Sequence, residues 1–580
     1  MRLLKLYSNK ESFKTVEFNP FGLSIIVGKM ESPSSAANRK NTVNGVGKSL
    51  TIALVNFCLG SSAKKGMTKS LKDWTFYLDF VIGDTYFTVK RTIDEPNKIF
   101  LNNKVYTVDN YRDTLENLLF DIPQKIGFLK FRSLISRFLR PYRASYESYD
   151  KAVPKEQDYA RQLCNAFLLG LDVLLAEKKY TLKKNLDEVI TLSKNIKKDE
   201  VLKEFLTEGK KVEFEVVNLK KQITVLDKKV KLFIIADNLD VLKKEADALS
   251  NELREARNRR TIIESAIKNI EKSLNIKPDL TSDQLISFYQ EANVQLGQLI
   301  VKEIKEIETF NQKLLTDRKR RLEIERRQFI TELGDLRIKI DKLGKLEDEK
   351  LRNLDSMGAL DDYRKLMDEL GRLRNSLERY ETYIKLMEEY KIKQSQFEKE
   401  LSEENINALN YLHSQKNLID ENILTFQNFA QQFYENKRSG IEITNDDGKN
   451  QNRYRISAEI QNDASDGINQ VRLFCFDFTV LKSRHNHRVN FLFHDSRMLS
   501  EMDPRQRATV FQVAFNETLA SNCQYIITVN QDLLDSFKEH LEDIEYKTII
   551  NDKTIILTLT DESDESKLLG IQVDMNYEED

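Results

Sequence analysis

A chain of 580 residues in which 32% are charged, with only 8 Pro and 19 Gly, has a composition that favours long polar helices over a series of compact globules. The formal net charge of -1 excludes a chain-wide basic surface, so any contact with nucleic acid has to be local. Four widely separated cysteines without a CxxC pair argue against a disulfide framework or a zinc site. With no apolar leader and no run of about 18 apolar residues, the sequence predicts a soluble, cytoplasmic protein with no membrane partner.

Residues 1–171 are predicted to form a mixed α/β N-terminal lobe. The apolar run LSIIV, residues 23–27, indicates a strand that is followed by Gly28. Residues 77–91 contain two alternating apolar runs on either side of Gly83-Asp84, which is typical of a β-hairpin.

The character of the chain changes over residues 172–434, which are predicted to form an arm. From Leu242 to Leu274, apolar residues and alanines follow a 4,3 spacing over four heptads, and only Arg260 interrupts the seam. Such a seam requires a partner helix, and residues 373–387 repeat the spacing later in the same chain. Residues 275–282 include a proline that can break the helix between the two segments. We therefore expect a long antiparallel α-helical coiled coil whose tip lies near residues 275–282.

Strand-like runs return in residues 435–580, the predicted C-terminal lobe. The apolar runs are ISAEI, VNFLF, YIITV and TIILTLT, and an acidic segment follows them. The two ends of the sequence therefore share an α/β character that the middle lacks.

The motif with the clearest chemistry is NGVGKS, residues 44–49, which precedes the apolar helix pattern LTIALVNFCLG. A phosphate-binding loop needs glycines whose backbone N–H groups surround phosphate, a lysine that reaches the β and γ oxygens, and a hydroxyl for Mg²⁺. Gly47, Lys48 and Ser49 supply these parts. The strict pattern has Gly where this chain has Thr42, so we interpret residues 29–43 as an insertion within the loop. The alternative is a chance GxGKS sequence before a helix.

Together these features resemble the SMC, RecN and RecF group of ABC-type ATPases, and the resemblance covers essentially the whole chain. The loop insertion and the short arm are similar to bacterial SMC-like ATPases of phage-defence systems, the Lamassu type among them. The resemblance implies an α/β fold in which both lobes form one ABC-type ATPase head that carries the coiled-coil arm. It also implies ATP and Mg²⁺ as cofactors, a homodimer that sandwiches ATP between its heads, and ATP contacts at Gly28, Asn44 and Gly45.

The signature motif of this group is matched by ASDGI, residues 464–468. In the family this motif binds the γ-phosphate that the other subunit holds. Ser465 and Gly467 match its S-x-G core, whereas Asp466 departs from it and would repel a triphosphate. An ordinary Asp-Gly turn that caps the next helix is the alternative.

The segment FLFHD, residues 491–495, resembles the buried strand that ends in the Walker B aspartate. Asp495 and the hydroxyl of Ser49 are thus the predicted magnesium ligands, and a helix-capping role for Asp495 is the alternative. In the family the next residue is the general-base glutamate, but here it is Ser496, whose hydroxyl cannot take a proton efficiently. Glu501 is the nearest substitute base, with a solvated loop carboxylate as its alternative role. We therefore expect an ATPase with slow turnover.

Three further family positions can be matched. Asp503, within EMDP, resembles the D-loop at the dimer interface. The switch histidine would fall at Gln531 or Asn530, whose amides can donate a hydrogen bond to the γ-phosphate but cannot shuttle a proton. Gln124 is the candidate for the Q-loop residue that contacts Mg²⁺.

Two other motifs suggest different chemistry. The triplet His485-Asn486-His487 spells HNH, but that nuclease needs a ββα metal site with further ligands, and this triplet lies in a basic loop before a core strand. The basic residues 318–321, with Arg326 and Arg327, could contact DNA phosphates, although such runs on coiled coils are usually solvated faces.

The first hypothesis is an ATP-gated sensor or loader of double-stranded DNA that acts with a nuclease effector and an accessory subunit in phage defence or DNA repair. The second is a nucleotide-gated scaffold with little or no hydrolysis that regulates an effector without binding DNA. A purely structural coiled coil with a chance GKS sequence is the third. No nuclease, helicase or protease chemistry is visible in the sequence.

Overall fold

The computed structural model describes residues 1–30, 45–123, 126–197, 212–232, 239–274, 298–352, 360–461 and 466–573. Within these limits the chain forms two compact units. The described residues within 1–184, 286–304 and 400–580 form the head unit, and those within 185–285 and 305–399 form the arm unit.

The strands belong to the head unit. They are β1 (Arg2–Ser8), β2 (Val16–Glu17), β3 (Gly22–Lys29), β4 (Thr75–Ile82), β5 (Thr85–Thr92), β6 (Lys98–Leu101), β7 (Lys104–Thr107), β8 (Ser439–Asn445), β9 (Tyr454–Ile460), β10 (Phe491–His494), β11 (Gln524–Asn530) and β12 (Ile555–Thr560). They form a six-stranded sheet in the order β2-β1-β4-β5-β6-β7, a four-stranded sheet in the order β10-β11-β3-β12, and the pair β8-β9.

The helices are α1 (Lys48–Cys58), α2 (Lys65–Ser70), α3 (Val108–Leu119), α4 (Phe131–Leu139), α5 (Asp158–Leu168), α6 (Val173–Lys197), α7 (Val212–Leu232), α8 (Leu239–Leu274), α9 (Gln298–Arg352), α10 (Leu360–Ser414), α11 (Lys416–Phe433), α12 (Asp466–Ser483), α13 (Pro504–Ala520), α14 (Gln531–Ser536) and α15 (Asp543–Ile549). None of these helices, in the part of the chain that is described, is both long and apolar enough to cross a bilayer.

The four-stranded sheet joins the two ends of the chain. β3 lies between β11 and β12, and all three strands are parallel, so that Ile25 pairs with Ile527 on one side and with Ile555 on the other. β10 adds in parallel outside β11. Parallel sheets are buried on both faces, and residues 23–27 of β3 are accordingly at most 1% exposed. Because β3 comes from the N-terminal lobe and its neighbours come from the C-terminal lobe, neither lobe can complete this sheet alone.

The six-stranded sheet contains the predicted hairpin. β4 and β5 pair antiparallel from Thr75–Thr92 to Ile82–Thr85, and Gly83 has a φ of +58° at the turn between them. α1 contacts β3 and β11 of the parallel sheet and also β4 and β5 of the antiparallel sheet. The predicted α/β class, with both lobes in one head and long helices between them in sequence, is confirmed.

The arm unit contains two antiparallel helix pairs. α7 pairs with α10 through the ion pairs Asp227–Arg374 at 2.7 Å and Lys220–Glu381 at 2.8 Å. The two helices are antiparallel, because the residue numbers rise along α7 as they fall along α10. α8 pairs in the same sense with α9, as the pair Arg259–Glu332 at 2.7 Å and the pair Glu271–Arg326 show. The antiparallel coiled coil is therefore confirmed. Its described part contains two antiparallel helix pairs, whereas a single helical hairpin would contain one.

Between α8 and α10 the direction is parallel, so residues 373–387 are not the antiparallel partner that the sequence suggested for residues 242–274, and α9 is that partner instead. Asp247 accepts a hydrogen bond from Tyr363 at 2.6 Å, and further along both helices Asn258 donates to Glu378 at 2.6 Å. The predicted seam of α8 is buried at positions that include Leu253, Ala256 and Ile263. The predicted tip, residues 275–282, lies outside the described residues.

The basic segment of the arm is partly engaged within the arm itself. Arg326 donates two hydrogen bonds to Glu271, at 2.5 and 3.0 Å, whereas Arg320 and Arg327 are exposed. Ion pairs at such exposed positions contribute roughly 0–1 kcal/mol each. They therefore specify register more than they stabilise the arm.

The pairing of α7 with α10 can be tested with cysteines. Double variants with cysteines at 227 and 374, or at 220 and 381, should be crosslinked within one chain by a short bis-maleimide. The exchanged pairs 227/381 and 220/374 should not react, because each is displaced by about 10 Å along the helices. The four native cysteines are buried and provide a low background. Equal crosslinking of matched and exchanged pairs, measured by gel mobility and peptide mass, would contradict this register.

Candidate functional site

The site is built around the start of α1, which follows the strand β3 in the chain. Gly47 is the N-cap of α1 and has a φ of +102°, which a residue with a Cβ rarely adopts. An added Cβ at Gly47 would also lie 2.6 Å from the Cβ of Leu568. The Leu568 N–H donates to the Val46 carbonyl at 3.0 Å, so the segment after β12 braces the loop. The backbone here therefore requires glycine.

Lys48 is the first residue of α1, and it is only 6% exposed. Burial lowers the pKa of Lys48 to about 8, while the carboxylates of Asp495 and Asp532 act in the opposite direction. Lys48 is thus a buried amine at a helix N-terminus that two carboxylates favour in its charged form, and a bound anion there would add favourable charge.

Ser49 and Asp495 meet although 446 positions separate them in the sequence. The Ser49 hydroxyl donates to Asp495 Oδ2 at 2.5 Å, and the Thr528 hydroxyl lies 3.3 Å from the same oxygen. Mg²⁺ prefers hard oxygen ligands and is usually held by one or two protein oxygens together with phosphates and water. A hydroxyl and a carboxylate in contact at the phosphate loop fit that requirement.

The other carboxylate oxygen of Asp495, Oδ1, accepts hydrogen bonds from the residues that follow it in the chain. Asp495 follows β10 and caps the 3₁₀ turn Ser496–Leu499, because Oδ1 accepts from the Arg497 N–H at 3.2 Å and from the Ser496 hydroxyl at 3.3 Å. The Asp495 N–H donates to the Tyr146 hydroxyl at 2.7 Å. Asp495 is therefore both a cap, which was the alternative interpretation, and the partner of Ser49.

Gly467, Glu501 and Asp503 lie near one another at the start of α12. A Cβ added to Gly467 would lie 2.8 Å from the Glu501 carbonyl oxygen. The side chain of Asp503 caps α13, since it accepts from the Gln506 N–H at 2.8 Å and forms a capping box. Glu501 is an exposed residue in the loop between the 3₁₀ turn and α13.

The residues predicted at the switch position differ in their surroundings. Gln531 donates to Asp535 at 2.9 Å within α14, on the exposed side of that helix. Asn530 ends β11 opposite Gly28, and its side-chain oxygen is buried without a hydrogen-bond partner. Asn530 therefore has an open acceptor next to the strand that leads into the phosphate loop.

Three of the predicted ATP-binding residues, Asn44, Gln124 and Ser465, lie outside the described residues. Gly45 is exposed at the start of the described loop, and Gly28 lies within β3 between Asn530 and Leu559.

Four residues at the site were not among the predictions, namely Tyr146, Thr528, Asp532 and Leu568. Their roles depend on distant contacts with the phosphate loop or Asp495. A search for polar residues at the ends of parallel strands would have found Thr528, because such ends meet at one edge of a sheet. We see no comparable sequence signal for Tyr146 or Leu568.

Within the HNH triplet, His487 is buried, whereas His485 and Asn486 are half-buried. His487 is 4% exposed, its Nε2 lies 3.1 Å from the Val480 carbonyl, and its Nδ1 accepts from the Val489 N–H at 3.2 Å. This pattern is that of a neutral imidazole that donates from Nε2. Burial lowers the pKa of His487 to about 4. The contacts explain the residue as a structural histidine.

Comparisons with known proteins give the following matches. Residues 429–573 match a family described as "Uncharacterised protein conserved in bacteria (DUF2326)", and this match does not extend to the phosphate loop. No curated protein matches the chain.

Among solved structures, the chain is similar to the Smc head domain with a coiled coil and joint from Pyrococcus yayanosii, at 13% identity and a TM-score of 0.34, with 93% of this chain and 94% of that chain covered. It is also similar to the Smc head domain with an extended coiled coil from Pyrococcus furiosus, bound to the C-terminal domain of ScpA, at 11% identity and a TM-score of 0.32, with 92% and 90% covered. A third match is an SmcHead bound to the C-winged helix domain of ScpA, at 9% identity and a TM-score of 0.34, with 92% and 90% covered.

Acid should destabilise the head through His487. The pKa of His487 in the folded protein, about 4, lies below the ordinary value of 6.5, so its contribution is complete above pH 6.5 and is lost as the pH falls towards 4. Between pH 7 and pH 5 this residue should lower the free energy of unfolding by about 2 kcal/mol.

His487→Gln should reduce that pH dependence in urea unfolding, whereas His540→Gln, at an exposed position, should not change it. An unchanged slope in a folded His487→Gln protein would contradict the assignment of a neutral buried histidine.

Proposed function

We propose that this protein is an SMC-like ATP-binding subunit whose heads dimerise around ATP and Mg²⁺. The observation that carries the proposal is the contact of Ser49 with Asp495 next to the buried Lys48. A chance GKS sequence before a helix has no reason to meet a strand-end carboxylate from the other end of the chain. The geometry thus supports a nucleotide site over a purely structural coiled coil.

The chain's own residues divide the work of binding. The backbone N–H groups at the start of α1 would donate to the β-phosphate, and the Lys48 ammonium would contact the β and γ oxygens. Ser49 and Asp495 would hold Mg²⁺, which neutralises charge on the phosphates. Asn530 would lie near the γ-phosphate as a neutral amide.

Dimerisation would place the Ser465 loop and Gly467 of one head against the nucleotide of the other. The N-terminus of α12 follows this loop, and a helix N-terminus favours an anion. The tight approach of Gly467 to the Glu501 carbonyl leaves no room for a side chain, which fits a surface that must stay close to a phosphate.

We further propose that this head acts as a DNA sensor or loader, coupled to a nuclease effector and an accessory subunit, in anti-phage defence or DNA repair. The exposed Arg320 and Arg327 in the arm are candidates for phosphate contacts with double-stranded DNA. A nucleotide-gated scaffold that works without DNA is the competing function. Ser496, at the position where the resembled family has the general-base glutamate, favours this scaffold as much as it favours slow turnover.

Two variants should show that ATP binding and head dimerisation depend on different residues. Lys48→Ala should lose ATP binding, because it removes the buried ammonium at the phosphate loop, and the exposed Lys69→Ala should bind normally. Ser465→Arg should bind ATP as a monomer but should not dimerise, because a bulky side chain would enter the interface. Thr548→Arg, at an exposed position, is the matched control.

Fluorescence titration of ATP and mass measurement with and without ATP report these outcomes. Micromolar ATP affinity in Lys48→Ala would show that the site is misplaced. An ATP-dependent dimer of Ser465→Arg would show that the interface is misplaced.

Hydrolysis should be slow in the native protein because Ser496 replaces the general base. Ser496→Glu should raise phosphate release, since a positioned base contributes roughly 10²–10⁴-fold. Glu501→Gln should lower the native rate if Glu501 is the substitute base, and Ser496→Ala is the size control. Fast native turnover that Glu501→Gln leaves unchanged would contradict this account.

Stimulation of ATP turnover by double-stranded DNA would favour the DNA sensor over the scaffold.

A further inference from the structure

A buried charge cluster lies next to the proposed magnesium site and has no part in the function described so far. At its centre is Asp477 of α12, which is 3% exposed. The Arg140 guanidinium donates to both Asp477 oxygens, and the distance from Nη2 to Oδ1 is 2.6 Å. His494 Nε2 lies 3.0 Å from Asp477 Oδ2. Arg140 and His494 are at most 1% exposed.

Arg140 and Asp477 compensate each other's charge, and both ring nitrogens of His494 have a hydrogen-bond partner. Because the Asp477 carboxylate accepts, His494 donates to it from Nε2, and the Tyr525 hydroxyl lies 3.2 Å from His494 Nδ1. A buried ion pair of this kind contributes little net stability, and its clearest effect is to specify one geometry.

Two routes connect this geometry to Asp495. The first is the chain itself, because His494 is the residue before Asp495 and ends β10. The second is the segment after Arg140, in which the Tyr146 hydroxyl accepts from the Asp495 N–H at 2.7 Å. The Tyr146 carbonyl in turn accepts from Gln470 of α12 at 3.1 Å.

α12 is therefore bonded at several points to the residues that hold Asp495. Asn469 donates to the Glu147 carbonyl at 3.0 Å, one position away from the Gln470 contact, and Asp477 lies two turns further along the helix. Both routes begin on α12 and end at Asp495, so a shift of α12 would be transmitted to Asp495 through His494 and through Tyr146.

We infer that Arg140, Tyr146, Asp477 and His494, the positioning cluster, orient Asp495 for Mg²⁺ and make its coordination depend on the position of α12. This inference rests on the proposed function. Because α12 begins beside the proposed interface loop, engagement of a second head would change metal binding in the first. The contacts of these residues lead to Asp495, and we therefore treat them as positioning residues rather than catalytic ones.

The test separates magnesium binding from nucleotide binding in the full chain. A fluorescent ATP analogue is titrated in EDTA, and Mg²⁺ is then titrated at a fixed concentration of the analogue. Tyr146→Phe and His494→Phe should raise the half-saturating Mg²⁺ concentration about tenfold, which is typical when a partner of a metal ligand is lost. Their affinity in EDTA should stay within about twofold of the native value, since Lys48 and the loop are intact.

A conservative variant and a matched control sharpen the result. His494→Gln should restore part of the Mg²⁺ affinity, because its amide N–H can donate to Asp477. Tyr454→Phe removes another buried hydroxyl in the head, which donates to the Asp172 carbonyl at 2.8 Å, and should leave the Mg²⁺ titration unchanged.

Native Mg²⁺ dependence in folded Tyr146→Phe would overturn the inference, and so would an equal loss of affinity with and without Mg²⁺. If His494→Phe fails to fold, as judged by circular dichroism, Tyr146→Phe and His494→Gln decide. Asp495→Asn tests the site separately: if it leaves Mg²⁺-dependent binding intact, the proposed function fails whatever the positioning cluster does.

Discussion

The hydrogen bond between Ser49 and Asp495 is the contact on which the other features of the site depend. It exists because β3 is inserted between β11 and β12, which places the phosphate loop and the end of β10 at the same edge of one parallel sheet. If a flexible loop joined Ser49 to Asp495, bringing the two residues together would cost conformational entropy. Here the intervening chain leaves and returns as helices, and the ion pair of Lys178 on α6 with Glu404 on α10, at 2.5 Å, joins the two where they meet within the head unit.

The same sheet sets the electrostatics of the site. Lys48 is desolvated by the packing of α1 between two sheets, and Asp495 and Asp532 keep a compensating negative charge beside it. A bound triphosphate would take over that compensation. The position of the expected base carries Ser496, whose hydroxyl is already hydrogen-bonded to Asp495. A hydroxyl is a poor proton acceptor, and this is the basis of the proposed slow turnover.

In the arm, the periodic seam describes which face of α8 is buried but not which helix covers it. Leu253 and Ile263 are buried as the heptads require, yet α8 runs antiparallel to α9 and parallel to α10. A 4,3 pattern is satisfied by a partner in either direction, so periodicity alone cannot distinguish these arrangements. Charged pairs such as Asp227–Arg374 add the information on register that the apolar seam lacks.

The sequence by itself determined the local parts: the hairpin around Gly83, the glycine at position 47, the buried strands β3, β10 and β11, and the helical arm. Each of these follows from periodicity or from a backbone conformation that only a few residues adopt. The tertiary structure alone decided that Tyr146 holds the Asp495 backbone, that Leu568 covers Gly47, and that Asn530 rather than Gln531 has an open acceptor beside β3. These are contacts between residues far apart in the chain, and their partners are selected by the order of strands and by packing, which no local pattern encodes.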